Sequence, residues 1–183
     1  MSKIVCFGEV LWDIFPDKTK IGGAPLNVAL RLNAFGNNVT MVSAIGQDAL
    51  GAKLLEYIES NGLNTSCIQV TETNNTGEVK VTLNKKGSAT YNITYPSAWD
   101  KINLTKAISL AVKNADALVF GSLITRDNVS KSTLYNLIEY SKYNIFDINL
   151  RPPHYSKDIL MYLMQKADFI KFNDDELYEV AGF

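Results

Sequence analysis

The sequence has little cysteine and almost no histidine. Its 183 residues include two cysteines and one histidine. Cys6 and Cys67 show no CxxC or other metal-ligand spacing, so no cysteine metal site is predicted. Cys6 stands in an apolar run, where a buried free thiol is expected. His154 has no serine, aspartate or cysteine beside it in a triad-like arrangement, and we interpret it as a solvated or structural residue.

The sequence also lacks an excess of charge of one sign and a long hydrophobic run. Lys and Arg total 18 against 19 Asp and Glu, for a net charge of −1, and this balance disfavours a nucleic-acid partner. No run of about 18 apolar residues is present. The start MSKIVCFGEV has no long apolar segment followed by a cleavage site. We therefore expect a soluble, cytoplasmic protein without membrane contact.

Apolar residues, by contrast, are abundant and occur in alternating strand-like and helix-like segments. They make up 46% of the chain, which is enough to form a core. Strands are predicted in KIVCFG, NVTMVSAIG, DALVFGS, YNIFDIN and DFIKF, with helices between them. This alternation indicates an α/β fold with a mostly parallel sheet. Ligands bind beyond the carboxyl ends of such strands, so polar residues there are the candidates for a site.

One segment departs from this pattern. GEVKVTLNKKGSATYNITY alternates apolar and polar residues around a turn, NKKGS, which predicts a hairpin with one dry and one wet face. Such a hairpin does not fit a helix-covered parallel sheet and is interpreted as a separate flap. Tyr91, Tyr95 and Trp99 lie on or beside it, and an aromatic side chain there could cover a ligand or could only pack the flap.

The first candidate residues follow KIVCFG. Asp13, in GEVLWDIFP, is either a carboxylate in water or an acceptor of hydroxyl hydrogen bonds from a polyol. The stretch GGAPLN is either a glycine loop into a proline-started helix or a backbone that approaches a ligand closely. Asn27 favours the second interpretation, because its amide has donors and an acceptor for a sugar hydroxyl. The stretch lacks the third glycine of a dinucleotide fingerprint and the GK[ST] of a P-loop.

Two further motifs follow later predicted strands. FDINLRP places Asp147, Asn149 and Arg151 at alternating positions, which predicts that all three lie on one side. Together they could hold a hydroxylated, phosphorylated ligand, or they could be a surface ion pair with a loop asparagine. NDDE matches a capping box, with Asn173 at the N-cap and Glu176 at N3. The alternative is that these two residues face phosphate and hydrated Mg²⁺.

Taken together, these stretches resemble the ribokinase-like (PfkB) family of carbohydrate kinases, and within it the fructokinases. The matching segments are GEVLWDIFP, GGAPLNVA, NNTGEVKVTL, SAWD, FGSLITR, FDINLRP and NDDE, in the family's order. The resemblance implies a three-layer αβα fold with a small β-hairpin lid. Residues 1–183 would be the N-terminal, sugar-binding part of that domain, with lid segments at about 11–21 and 66–100, and the C-terminal part of the fold would be absent.

The same resemblance implies roles for individual residues. The predicted substrate residues are Asp13, Gly22, Gly23, Asn27, Tyr91, Asn149 and Arg151. Phosphate would be bound by Asn149, Arg151 and Asn173, and Mg²⁺ by Glu176 through water. The implied cofactors are ATP and Mg²⁺, and a homodimer through the lid is expected.

The implied activity is that of an ATP-dependent, fructokinase-like sugar kinase, which phosphorylates a primary hydroxyl of a sugar such as fructose. The family's GAGD segment, with its catalytic aspartate, does not occur in these residues. We therefore assign no catalytic residue in this chain and expect it to be truncated and inactive alone. Two alternatives stay open, a non-catalytic sugar-binding remnant and a subunit completed by another chain. The sugar could also be ribose, a nucleoside or a keto-deoxy sugar acid.

Overall fold

The structure is a computed structural model that describes residues 1–83 and 89–182. The predicted turn NKKGS, residues 84–88, lies outside the described residues, as does Phe183. The described chain forms two β-sheets, a large one with helices on both faces and a separate small one, whose residues Trp12 and Ile21 pack against one of the two cores between the large sheet and its helices.

Six strands form the large sheet. In spatial order they are β10 (Phe169–Lys171), β9 (Asn144–Asp147), β8 (Ala117–Gly121), β1 (Lys3–Phe7), β4 (Asn38–Gly46) and β5 (Asn64–Thr71). Every pairing in this sheet is parallel, which confirms the predicted mostly parallel sheet. The strands therefore direct all their carboxyl ends to one edge.

Six α-helices accompany the strands in the part of the chain that the structure describes. They are α1 (Ala24–Ala34), α2 (Ala49–Ser60), α3 (Lys106–Asn114), α4 (Asn128–Ile138), α5 (Lys157–Lys166) and α6 (Asp174–Ala181). Side chains alternate between the two faces of a strand. In β1, Cys6 packs in one core with α1 and α2, whereas Val5 and Phe7 pack in the other with α3, α4 and α5. This arrangement confirms the three-layer αβα architecture. Among the described residues, no helix combines the length and apolar content needed to cross a bilayer.

Four strands form the small sheet, which we call the lid. They are, in spatial order, β3 (Thr19–Gly22), β2 (Leu11–Ile14), β6 (Gly77–Leu83) and β7 (Ala89–Ile93). The two outer pairings are antiparallel, but β2 and β6 pair in parallel. The lid is thus assembled from two separate segments of the chain, one after β1 and one after β5.

The lid differs from the sequence prediction in its bounds. The segment 66–100 is broader than the lid strands, because Asn64–Thr71 belongs to the large sheet and Ala98–Lys101 is a short 3₁₀ helix. The dry face of the hairpin is covered within the chain, where Val79 and Val81 are buried with Leu11. Because this face is buried within the chain, it does not require a partner chain to cover it.

The predicted strand DFIKF forms, but it is not buried. β10 is the outermost strand of the large sheet and pairs with β9. The Phe169 side chain is 53% exposed and that of Phe172 is 43% exposed. Apolar composition alone does not distinguish an edge strand from a central one.

Candidate functional site

The lid brings Asp13 over the carboxyl edge of the large sheet. The chain leaves β1 at Phe7 and enters β2 at Leu11, so Asp13 lies in a lid strand. Burial raises the pKa of its half-buried carboxyl, and the charges of Arg151 and Lys20 counteract this rise. Neighbouring Gly22 is buried in β3, and a Cβ there would collide with the Asp13 carboxylate.

The glycine pair and Asn27 lie where β3 passes into α1. Gly23 is the N-cap residue of α1 with φ +113°, and a Cβ on it would collide with the backbone carbonyl of Glu9. The glycines are thus required by contacts within the chain, as well as being suited to a close approach of a ligand. Asn27 is exposed rather than buried in the helix face, and this exposure explains why an amide is tolerated in an apolar helix.

The motif FDINLRP is only partly as predicted. The strand ends at Asp147, and Asn149 has a φ of +43°, which an asparagine adopts more readily than most residues. This turn interrupts the alternation, so the prediction that all three residues share one side is wrong. Asp147 contacts the Lys171 ammonium at 3.0 Å, whereas Asn149 and Arg151 face the space below the lid.

That space is a cavity of about 250 Å³, which we call the lid cavity. Its lining includes six of the seven predicted substrate residues, namely Asp13, Gly23, Asn27, Tyr91, Asn149 and Arg151. Gly22, the seventh, lies behind Asp13 instead. The Tyr91 side chain is 57% exposed at the cavity, which leaves it free to pack on a ligand.

Glu9, which the sequence analysis did not single out, also lines the lid cavity. Its residue surface is 2% exposed. Oε1 accepts a hydrogen bond of 3.2 Å from the Ala24 N–H, and Oε2 is buried without a hydrogen-bond partner among the described residues. Burial raises the pKa of Glu9 to about 7, although its own backbone, the Ala24 N–H, Arg151 and Arg126 favour the charged form. The available signal was its position directly after the first strand.

Asn173 and Glu176 lie in a neighbouring cavity of about 300 Å³, which also includes Arg151. The predicted capping box is present: the Glu176 N–H donates to Asn173 Oδ1 at 2.8 Å, and Glu176 Oε2 accepts from the Asn173 N–H at 2.9 Å. Glu176 Oε1 also accepts from the Leu150 N–H at 2.9 Å. Arg151 thus lies at the junction of the two cavities.

These contacts determine how Glu176 could act on a metal ion. Each oxygen of its carboxylate already accepts one backbone hydrogen bond, and an ionised carboxylate has about four lone-pair sites. The remaining sites fit hydrogen bonds from water held by Mg²⁺, which usually keeps several waters. Within residues 1–83 and 89–182, no group of three or more His, Cys, Asp or Glu side chains is placed to hold an ion directly.

A buried network anchors the end of the lid to the core. Arg126 donates to both Asp100 oxygens, at 2.7 Å from Nε and 2.8 Å from Nη2, and to the Thr94 carbonyl just after β7. Trp99 is fully buried under its guanidinium, with 3.9 Å to the ring centroid. Tyr95 Oη donates to Asp127 at 2.9 Å. Trp99 and Tyr95 therefore pack the base of the lid, whereas Tyr91 faces the cavity.

Comparison with known proteins supplies a family for this geometry. The model of the pfkB family carbohydrate kinases matches residues 1–183. A curated relative, fructokinase-2 of Oryza sativa subsp. japonica, is 26% identical over 196 residues, which cover 95% of this chain and 58% of the relative. A sugar kinase of Pyrococcus horikoshii is 29% identical over 166 residues, or 85% of this chain and 53% of that protein.

Solved structures show the same fold. The crystal structure of a fructokinase from Xylella fastidiosa with bound ATP has a TM-score of 0.90 and 24% identity, covering 100% of this chain and 61% of that one. The Pyrococcus horikoshii sugar kinase in complex with ATP has a TM-score of 0.85 and 25% identity, covering 98% and 66%. The chain spans somewhat more than half the length of the curated relatives it matches.

Proposed function

The chain belongs to the pfkB family of carbohydrate kinases, and on that premise we propose that it forms the sugar-binding part of an ATP-dependent, fructokinase-like enzyme. The reaction transfers the γ-phosphate of ATP to a primary hydroxyl of a sugar such as fructose. The observation that carries the proposal is the convergence of Asp13, Asn27 and Arg151 on one cavity beneath the lid. A carboxylate, an amide and a guanidinium supply both the acceptors and the donors that a polyol needs.

The size of the lid cavity favours a single sugar ring. Its volume of about 250 Å³ is below the about 300–1,000 Å³ typical of sites for drug-sized ligands. A hexose or pentose suits this space better than a nucleoside does. In the proposed complex, Asp13 accepts hydrogen bonds from sugar hydroxyls, Asn27 both donates and accepts, and Tyr91 packs on the ring from the lid. Ribose and a keto-deoxy sugar acid remain alternative substrates.

The phosphate side is proposed for the neighbouring cavity. Arg151 lies between the two cavities, where its fork of donors suits a phosphoryl group on its way to the sugar. Asn149 and Asn173 provide amides beside it. Mg²⁺, when bound with ATP, supplies positive charge that offsets the charge of the phosphate oxygens. Glu176 holds water molecules of that ion through the lone pairs that its backbone hydrogen bonds leave free.

The substrate assignment is tested by titrating fructose into the longest natural polypeptide that contains this chain. Asp13→Asn should weaken fructose binding by at least about tenfold, because hydrogen bonds to a charged group contribute about 1.5–3 kcal/mol each. Asp17→Asn is the matched control, since Asp17 is exposed in the loop between β2 and β3. Equal affinity in the two variants would remove Asp13 from the sugar site.

We further propose that residues 1–183 do not phosphorylate a sugar by themselves. Phosphoryl transfer depends on positioning, charge stabilisation and a residue that receives the hydroxyl proton, and GAGD is absent from these residues. A coupled assay with fructose, ATP and Mg²⁺ on the 183-residue chain should give no turnover. Binding without turnover in the longest natural product as well would favour the sugar-binding remnant, and turnover restored by a second polypeptide would favour the completed subunit.

The proposed homodimer through the lid rests on the outer strands of the small sheet. β3 and β7 each pair on one side only among the described strands, and a free strand edge can pair with another chain. Sedimentation at micromolar concentration should give twice the monomer mass. A monomer at that concentration would contradict the dimer without affecting the sugar assignment.

A further inference from the structure

Only one oxygen of the Glu9 carboxylate has a hydrogen-bond partner among the described residues. Its Oε1 accepts from the Ala24 N–H at 3.2 Å, whereas Oε2 has no hydrogen-bond partner among the described residues and is buried. A buried polar atom without a partner is uncommon in folded proteins and calls for an explanation. Glu9 lines the lid cavity, so a small rotation of its side chain would bring Oε2 to that space, where a ligand can provide the missing partner.

The charged groups around Glu9 favour its ionised form, which accepts hydrogen bonds and donates none. Arg151 and Arg126 both stabilise its ionised form, and Asp13 is the other acidic group that lines the lid cavity. Burial opposes ionisation and raises the Glu9 pKa to about 7. A hydroxyl that donates to Oε2 would offset part of this burial cost.

We propose that Glu9 is a further ligand-contact residue of the lid cavity, whose Oε2 accepts a hydrogen bond from one sugar hydroxyl and so selects sugars that carry it. The inference rests on the proposed sugar-binding function and extends it to a residue and a selectivity. A sugar that lacks this hydroxyl leaves a desolvated carboxylate oxygen unpaired, and sites of this kind reject such analogues strongly. The expected loss of affinity is about ten- to a hundredfold.

The test combines Glu9→Gln with deoxy sugars. Gln keeps an oxygen for the Ala24 N–H and replaces Oε2 by an NH₂ group, so shape is retained while the acceptor is lost. Glu56→Gln, on the exposed face of α2, is the matched control. Calorimetric titrations compare fructose with a series of deoxyfructoses, each without one hydroxyl, in the longest natural polypeptide that contains this chain.

The proposal expects a specific pattern of coupling. Glu9→Gln should bind fructose about ten- to a hundredfold more weakly than the wild type. One deoxyfructose should bind both proteins equally, because it lacks the hydroxyl that Glu9 contacts. Glu56→Gln should bind every sugar as the wild type does.

A pH series gives a second readout that does not require the variant to fold. If only the ionised Glu9 accepts the hydroxyl, wild-type affinity for fructose should rise about tenfold from pH 6 to pH 8, through the pKa of about 7. The rise should vanish for the one deoxyfructose. Fructose binding that is unchanged by Glu9→Gln, or a pH dependence that is the same for every deoxy sugar, overturns the assignment of Glu9 alone. A wild-type protein that binds no sugar overturns the proposed function itself, and the assignment of Glu9 with it.

Discussion

Two ion pairs of equal length should differ greatly in their effect on stability. Arg126–Asp100 and Lys166–Glu139 both have an N–O distance of 2.7 Å. The Arg126 and Asp100 side chains are 2% and 0% exposed, whereas those of Lys166 and Glu139 are 39% and 55% exposed. The comparison between Asp100→Asn and Glu139→Gln therefore isolates burial, since each variant replaces a carboxylate by its amide.

Asp100→Asn should destabilise the protein by about 3–5 kcal/mol, because it leaves a buried guanidinium without its opposite charge. Arg126 Nη1 is already buried without a hydrogen-bond partner among the described residues, so the guanidinium has few other acceptors for its hydrogen bonds. Glu139→Gln should cost about 0–1 kcal/mol, as exposed pairs do. For a chain of this size, a loss of about 3–5 kcal/mol corresponds to a decrease in Tm of about 6–20 °C.

Urea denaturation of both purified variants, with the midpoint and slope compared, measures the two costs. Equal losses in the two variants would refute the argument from burial. The double variant Asp100→Leu/Arg126→Met provides a further check, because replacing a whole buried pair by apolar groups is often neutral or stabilising. It should be more stable than Asp100→Asn, and the opposite result would mean that the cost comes from lost shape rather than from an unpaired charge.

Three further predictions concern single residues. Burial raises the pKa of Glu9 to about 7 in the folded state, above about 4.3 in the unfolded state. The wild type therefore loses stability as pH rises from about 4 to 7. In ligand-free thermal denaturation, the stability of Glu9→Gln relative to the wild type should increase by up to about 3 kcal/mol across that range. Gly23→Ala should unfold at lower urea than Gly36→Ala, because both have positive φ but only at Gly23 would a Cβ meet backbone. Asp48→Ala should lower the free energy of unfolding by about 1 kcal/mol at pH 7. Burial raises the Asp48 pKa, but hydrogen bonds from Thr76 and the helix N-terminus outweigh it and lower that pKa. The difference in stability between variant and wild type should therefore shrink in acid, as the wild-type carboxylate is protonated.

The alternation of strands and helices was predictable because its signals are local. Five of the six strands of the large sheet are short apolar runs, and the helices between them show their own spacing and ends. The sixth, β5, has the more polar sequence NTSCIQVT and was not predicted as a strand of this sheet. Asp13 and Asn27 could be found for a related reason, since their chemistry contrasts with the apolar residues around them. These signals act over a few residues and do not depend on which strand lies beside which.

The parts that sequence reasoning missed depend on contacts between distant residues. Glu9 is a common residue type, and neither its burial nor its hydrogen bond from the Ala24 N–H of α1 has a local sign in the sequence around it. Asp147 was misplaced because the φ of +43° at Asn149 breaks the strand alternation. The pairing of Asp100 with Arg126 joins the 3₁₀ helix Ala98–Lys101 to a second one, Leu123–Arg126, and neither residue shows a local sign of it. The roles proposed for the site residues, the cytoplasmic location and the lid dimer stay predictions.

The position of β1 between β4 and β8 has a consequence for synthesis on the ribosome. β1 is made first, but its partner β8 begins at Ala117, roughly 70 residues after β4 ends at Gly46. Because synthesis proceeds at about 5–20 residues per second, the backbone donors and acceptors at one edge of β1 stay unpaired for several seconds. Open apolar edges of this kind associate readily with other chains. A nascent chain stalled before Ala117 should therefore be retained by a chaperone, and one that has extruded Gly121 should be released from it.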